Sequence, residues 1–316
     1  MSIAVVFPGQ GAQYIGMGQD LIEKYPVAKK LLQEADEALA FSLSSLIEKG
    51  DERELRLTYH TQPAILAISI VCYRVLQEEY AFVPKLLAGH SLGEYTALVA
   101  ANALSFTDGV RLVHQRGKLM DASAPAGTGA MAAVLGADLD RLQALCLAIS
   151  TELGQPVEMA NVNCPGQVVV SGEKSAVATL IERVAECGAR RAIALDVSGP
   201  FHSSLMRYAK EELAKILVDL PLVSPNPAIV SNVTAKSISD PSSIKKTLAL
   251  QVASPVLWEA SVQHMIDAGI HTFIECGPGT VLSGLIKKTD RQAMTYNIEN
   301  VQSLAKTLSV LRQEAQ

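Results

Sequence analysis

A chain of 316 residues has room for about two domains and a large buried core, and 49% hydrophobic with 19% charged residues suits a globular enzyme. Aromatic residues at 5% offer no base-stacking platform, and a net charge of −5 has the wrong sign for a nucleic-acid binder. No apolar run reaches the roughly 18 residues that span a bilayer, and SIAVVFPGQG at the start has no basic segment of a signal peptide, so no membrane association is expected.

In chain order, SIAVVF reads as a strand turned by PGQG, followed by helical patterns over Asp20–Leu39 and Gln62–Glu79. LLAGHS ends a strand at Ser91, and Leu92–Ala101 is a strong helix former. The next helix starts near Thr107-Asp108, read as its N-cap pair, and carries VRLVHQRGKLM. APAGTG (Ala124–Gly129) is a small-residue linker. Beyond it AMAAVL, ADLDRLQALCLAIS, PVEMANV, QVVVSG, KSAVATLIERVAECG and RRAIALDV run β-α-β-β-α-β, a ferredoxin-like order. After SGPFH come a long helix over HSSLMRYAKEELAKILVDL, strands at PAIVSN and HTFIEC, a turn and helix at GPGTVLSGLIKK, a strand near Met294 and a last helix.

The predicted fold is therefore α/β. A large α/β-hydrolase-like domain with a parallel sheet core takes residues 1–126 and 199–316, and the ferredoxin-like small domain is inserted at 127–198. The five cysteines (Cys72, Cys146, Cys164, Cys187, Cys276) are scattered without a C-x-x-C pair, which argues against disulfides and zinc and for a reducing cytoplasm.

Gly89-His90-Ser91-Leu92-Gly93 has the form G-x-S-x-G between an apolar strand and a helix, the context in which a sharp turn presents a serine as nucleophile. The helix that follows leaves the Leu92 N–H free to serve as an oxyanion donor. A serine hydroxyl needs a base. Of six histidines, His60, His114 and His264 read as structural, His271 begins a strand, and His90 adjoins the serine but points elsewhere at such a turn. His202 lies where the inserted domain rejoins the large one, at a helix N-terminus whose dipole would keep the ring neutral; spacing favours it. Arg116 precedes the linker: it is either a solvated helix arginine or, if it faces the cleft, a clamp for a carboxylate. Gln10 is either an ordinary turn residue or a second oxyanion donor. Gly277-Pro278-Gly279 is not a dinucleotide site, because Leu282 stands where the last glycine would be.

Eight segments in order, FPGQGAQYIGMG, TQPAILA, AGHSLGEYTALVAA, QRGKLM, NVNCPGQVVVSG, SGPFHSSLM, LALQVASPVLW and ECGPGTVLSGLIK, resemble the malonyl-CoA:acyl carrier protein transacylases of fatty-acid synthesis and the related acyltransferase domains of polyketide synthases. The resemblance covers nearly the whole chain. It implies that Ser91 carries the acyl group, that His202 is its general base and that Arg116 pairs with the free malonyl carboxylate. It places Gln10 and the Leu92 N–H in the oxyanion hole, and has the Gln251 main-chain carbonyl orient His202 in place of a triad acid. Asn163 would lie near the cleft, and a bulky Phe201 goes with malonyl rather than an α-methylated unit. It further implies a ping-pong reaction with coenzyme A thioesters and acyl carrier protein as partners and no cofactor or metal. An acidic carrier would need a basic patch on this acidic chain, for which Lys287-Lys288, Arg190-Arg191 and Lys245-Lys246 are candidates and Lys287-Lys288 the favoured pair. The length suggests a discrete monomer. A free-standing polyketide acyltransferase would look much the same. A serine thioesterase or lipase shares G-x-S-x-G but not Arg116 and must admit water, and a non-catalytic docking subunit would not need Ser91, His202 and Arg116 intact.

Overall fold

The structure, a computed structural model, describes residues 2–124 and 127–314. The linker expected at Ala124–Gly129, and with it the domain boundary at 126/127, falls partly on Pro125 and Ala126, outside the described residues. Among the described residues eleven strands follow in chain order: β1 (Ile3–Phe7), β2 (Leu86–Gly89), β3 (Gly129–Leu135), β4 (Val157–Cys164), β5 (Gln167–Glu173), β6 (Arg191–Ala194), β7 (Ile229–Val230), β8 (Ser237–Ile238), β9 (Val256–Leu257), β10 (Thr272–Cys276) and β11 (Met294–Ile298).

Six of them form a sheet in the order β11-β10-β1-β2-β7-β8, parallel except for the β7–β8 edge. β1 is central and wholly buried, as a strand covered by helices on both faces must be. Its alternating side chains divide between two cores, Ile3, Val5 and Phe7 on one face and Ala4 and Val6 on the other. Phe7 is in register with Gly89, so the turns leaving β1 and β2 start side by side at the carboxyl edge of the sheet, where open α/β sheets form their sites.

The second sheet runs β6-β3-β5-β4-β9. Its first four strands have the ferredoxin-like order and are antiparallel, with the helices Leu139–Leu153 and Lys174–Arg183 packed over a core of their own. β9, which comes from the chain after residue 199, adds to it in parallel through Asn161↔Val256. Two-residue strands such as β8 and β9 carry no periodicity, and PAIVSN shrinks to Ile229–Val230.

The helix expected over HSSLMRYAKEELAKILVDL is a 3-10 turn, Ser204–Met206, followed by the α-helix Arg207–Val218, and three earlier helices also differ from expectation. Asp20–Leu39 is two helices, Gln19–Lys24 and Pro26–Leu39, because Tyr25 adopts an extended conformation before a proline. The helix expected at Gln62 begins at Thr58 and contains Pro63. Proline cannot serve the carbonyl four residues back, Tyr59 O, and the His114 ring takes that acceptor through Nδ1 at 2.6 Å. The helix expected to open at Thr107-Asp108 opens at Phe106, capped by Ser105, whose Oγ accepts from the Asp108 N–H at 3.0 Å.

Candidate active site

The turn after β2 holds Ser91 at φ 51°, ψ −102°, off the regular backbone wells and costing on the order of 1–3 kcal/mol. Two things keep it there. Asn232 accepts the Ser91 N–H through Oδ1 at 2.7 Å and donates from Nδ2 to Gly89 O at 2.8 Å, tying both sides of the turn to the segment after β7. Glycine at 89 and 93 lets the turn fold onto β1: a Cβ at Gly93 would strike the Phe7 carbonyl, and one at Gly89 would strike Gly93.

His202 reaches this serine across 111 residues of sequence, with Nε2 2.8 Å from Ser91 Oγ. Its Nδ1 faces the main-chain oxygens of Gln251 at 2.8 Å and Ser254 at 3.2 Å. Carbonyls only accept, so Nδ1 carries the proton, Nε2 presents a lone pair, and the serine hydroxyl donates to it. Burial, and then the positive charge of Arg116, lower the His202 pKa from 6.5 to about 3, against the opposing bond to the Gln251 carbonyl. The helix dipole is not what keeps this ring neutral. The chain after His202 makes only a three-residue 3-10 turn, Ser204–Met206, before the helix Arg207–Val218 begins.

Arg116 is 1% exposed, on the cleft side of the helix Phe106–Ser123, so the solvated reading of this arginine is excluded. Its Nη2 donates to Ser91 Oγ at 3.0 Å and to Gln251 Oε1 at 3.0 Å, and Nη1 to Gln62 Oε1 at 2.8 Å. The guanidinium also lies 5.1 Å from the Tyr95 ring centroid. Its hydrogen-bond acceptors are all neutral, and among the described residues no carboxylate forms an ion pair with it. Buried charges are normally paired; Glu94 acts on this cation only at a distance, through the intervening Gln251, so the guanidinium beside the nucleophile is placed to take an anion directly.

Gln10 and Leu92 line the same cleft of about 330 Å³. Among the described residues neither backbone N–H has a protein acceptor, which leaves two donors at the mouths of the β1 and β2 turns. Phe201, Met120, Met131 and Val169 supply apolar wall. Asn163 is in the cleft, and its Oδ1 is engaged by His90 Nε2 at 2.9 Å; His90 packs against Trp258 rather than approaching the base. Lys287 and Lys288 lie exposed at the end of the helix Val281–Thr289, whose first turns border the cleft, and Lys288 Nζ donates to Gln167 Oε1 at its rim. Lys245 is turned to the Val218 carbonyl. Sequence reasoning missed Gln62, Glu94, Asn232 and the side chain of Gln251. Gln62, Glu94 and Gln251 stand in the segments TQPAILA, AGHSLGEYTALVAA and LALQVASPVLW that carry the resemblance, whereas Asn232 stands in none of the eight.

Comparison with known proteins agrees with this geometry. The profile of the acyl transferase domain family matches residues 4–310. A protein of Bacillus subtilis (strain 168) named malonyl CoA-acyl carrier protein transacylase is 47% identical over 312 residues, 99% of this chain and 98% of its own length. The crystal structure of an acyl-carrier-protein S-malonyltransferase from Burkholderia pseudomallei 1710b superposes with a TM-score of 0.94 at 41% identity, covering 98% of this chain and 100% of that one. A malonyl-transacylase solved in complex with a type II PKS acyl-carrier protein superposes at 0.95 with 39% identity, covering 98% and 99%.

Proposed function

The chain belongs to the acyl transferase domain family, and from that premise we propose that Ser91, His202 and Arg116 carry malonyl transfer from malonyl-CoA to the phosphopantetheine thiol of acyl carrier protein. The observation that carries the reading is the buried Arg116, in contact with the nucleophile and, among the described residues, in ion-pair contact with no carboxylate. A malonyl group on Ser91 Oγ has its free carboxylate one methylene beyond the ester carbonyl, within reach of a guanidinium already touching that oxygen. An acetyl group offers it nothing.

Ser91 Oγ attacks the thioester carbonyl as its proton passes to His202 Nε2. The carbonyl oxygen becomes an oxyanion, held by the Gln10 and Leu92 N–H groups; one such donor is typically worth about 10²–10³ in rate. Collapse of the intermediate breaks the C–S bond, and His202 returns the proton to the departing CoA thiolate. The carrier's thiol then enters, gives its proton to the same Nε2 and attacks the malonyl-serine, and the proton ends on Ser91. The Met120, Met131 and Phe201 walls limit water at the ester and favour transfer over hydrolysis. Phe201 also narrows the space for an α-methyl group, a preference worth about 1–3 kcal/mol.

The chemistry draws on coenzyme A and carrier thiols and asks for no cofactor from this chain. Lys287 and Lys288 are proposed to meet the acidic carrier, and the pantetheine arm would pass the exposed Val281 beside them. The domain limits are proposed as 1–126 with 199–316, and 127–198, supported by β3–β6 all falling in the inserted span. A cytoplasmic location is also proposed. All five cysteines are buried free thiols, and no helix among the described residues is long and apolar enough to cross a membrane.

The direct test is intact mass after brief mixing with malonyl-CoA, then addition of acyl carrier protein. One malonyl group should appear on the protein and then leave for the carrier. Free malonate accumulating faster than loaded carrier would make the protein a hydrolase instead.

The state of His202 sets a pH dependence. A base is competent when neutral, and His202 stays neutral down to about pH 3. The kcat/KM for acetyl-CoA, which does not need Arg116, should therefore stay level from about pH 8 to about pH 5, with no inflection at the ordinary histidine value. Arg116→Met removes a charge that depresses this pKa and should move the acidic limb upward. An inflection near 6.5 that persists in Glu94→Gln, whose parent carboxyl titrates at about 7, would show that burial and Arg116 do not hold His202 neutral. The same shift has a cost in stability. Between about 6.5 and 3 the unfolded chain takes a proton that buried His202 refuses, so stability falls as the pH falls through that window.

A further inference from the structure

Glu94 is fully buried in the helix Leu92–Ala100, under the nucleophile turn, and no step above uses it. Its Oε2 accepts from the Asn232 N–H at 3.1 Å and from Gln251 Nε2 at 2.6 Å. Gln251 Nε2 also faces Ser91 O at 3.0 Å and Asn232 Oδ1 at 3.3 Å, so three acceptors surround it. That environment permits the Gln251 carboxamide one orientation, with its amine toward the acceptors and its oxygen toward Arg116 Nη2 at 3.0 Å. A flipped amide would set N–H against the guanidinium and oxygen against three oxygens. The main chain of this same Gln251 orients His202, so one residue serves both the base and the cation.

We propose that Glu94 is a positioning residue for acyl-group choice: by accepting from Gln251 it fixes the carboxamide that holds Arg116 beside Ser91, and so sustains the preference for an acyl group bearing a carboxylate. This rests on the reading of Arg116 as the carboxylate's partner. Glu94 acts as an acceptor more than as a charge. Burial raises its carboxyl to about 7, even against the bonds from Asn232 and Gln251 and the nearby Arg116, so it is partly neutral at physiological pH. An amide oxygen in its place accepts the same two bonds.

The test is kcat/KM for malonyl-CoA and for acetyl-CoA, each divided into kcat and KM, in Glu94→Met, Glu94→Gln and Gln251→Met. Glu94→Met keeps the volume and loses the acceptor, and its malonyl-to-acetyl ratio should fall about tenfold, the scale of one charge-assisted hydrogen bond. Glu94→Gln should stay within about threefold of the unaltered ratio. Gln251→Met keeps the main-chain carbonyl and should fall as Glu94→Met does; it reads the same contact if Glu94→Met does not fold. Placed on Arg116→Met, Glu94→Met should leave the ratio where Arg116→Met put it. A purely structural role predicts that both substrates suffer equally. An unchanged ratio in Glu94→Met or Gln251→Met, a loss in Glu94→Gln as large as in Glu94→Met, or a further fall on the Arg116→Met background overturns the proposal. If instead the unaltered protein shows no malonyl preference, or Arg116→Met leaves the ratio untouched, it is the reading of Arg116 that fails.

Discussion

Ser91→Ala should lower malonyl transfer by at least about 10⁴-fold and leave no acyl group on the protein. The substitution removes one oxygen and little else. The turn is held by the Ser91 N–H on Asn232 and by Gly93 against Phe7, none of which involves Oγ, and alanine meets the same backbone cost at φ 51°. His202 Nε2 loses its hydroxyl partner, while Arg116 keeps Gln62 and Gln251. Folding is thus expected to survive, with a thermal midpoint near the parent's, and the lost rate can be assigned to chemistry. Intact mass and peptide mapping after exposure to malonyl-CoA decide the matter: a malonyl adduct that persists in Ser91→Ala would place the nucleophile elsewhere.

Arg116→Met should cut kcat/KM for malonyl-CoA by about 10²–10³, the scale of stranding a buried charge, and leave acetyl-CoA within about tenfold. The malonyl carboxylate would enter a cleft whose buried cation is gone, and the loss should appear mainly for that substrate. Acetyl has no charge to strand. It also meets a His202 relieved of its neighbour's charge, hence a somewhat more basic Nε2. Methionine occupies much of the arginine's volume, although it leaves Gln62 Oε1 and Gln251 Oε1 without their donor. Equal losses on both substrates would mean that Arg116 supports Ser91 rather than selecting the acyl group. Steady-state rates with both thioesters, beside the thermal midpoint, separate these outcomes.

These two residues also show how far the chain could be read without its folded form. Gly-His-Ser-Leu-Gly carries its own geometry: a strand, a turn needing two Cβ-free positions and a helix start all lie within one short stretch. The β-α-β-β-α-β order was legible for the same reason, since its periodicities and punctuating glycines act between near neighbours. Residue types in family order then pointed to His202, Arg116, Gln10, Gln251 and Phe201. Taken from the residues alone, Arg116 stayed undecided between solvent and cleft.

What only the folded chain decided are the quantities set by neighbours far away in sequence. Ser91 meets His202 across 111 residues and Gln251 across 160, and Asn232 pins the Ser91 N–H across 141. A two-residue strand such as β9, or a proline accepted inside Thr58–Glu79 because His114 takes the carbonyl it strands, leaves no local pattern to find. The neutrality of His202 is the clearest instance. Its position suggested a helix dipole, whereas the cause is burial together with the charge of Arg116. Turn and helix preferences act over a few bonds and are written in consecutive residues. Desolvation and the pairing of buried polar groups exist only once sheet packing has brought distant segments together and excluded water.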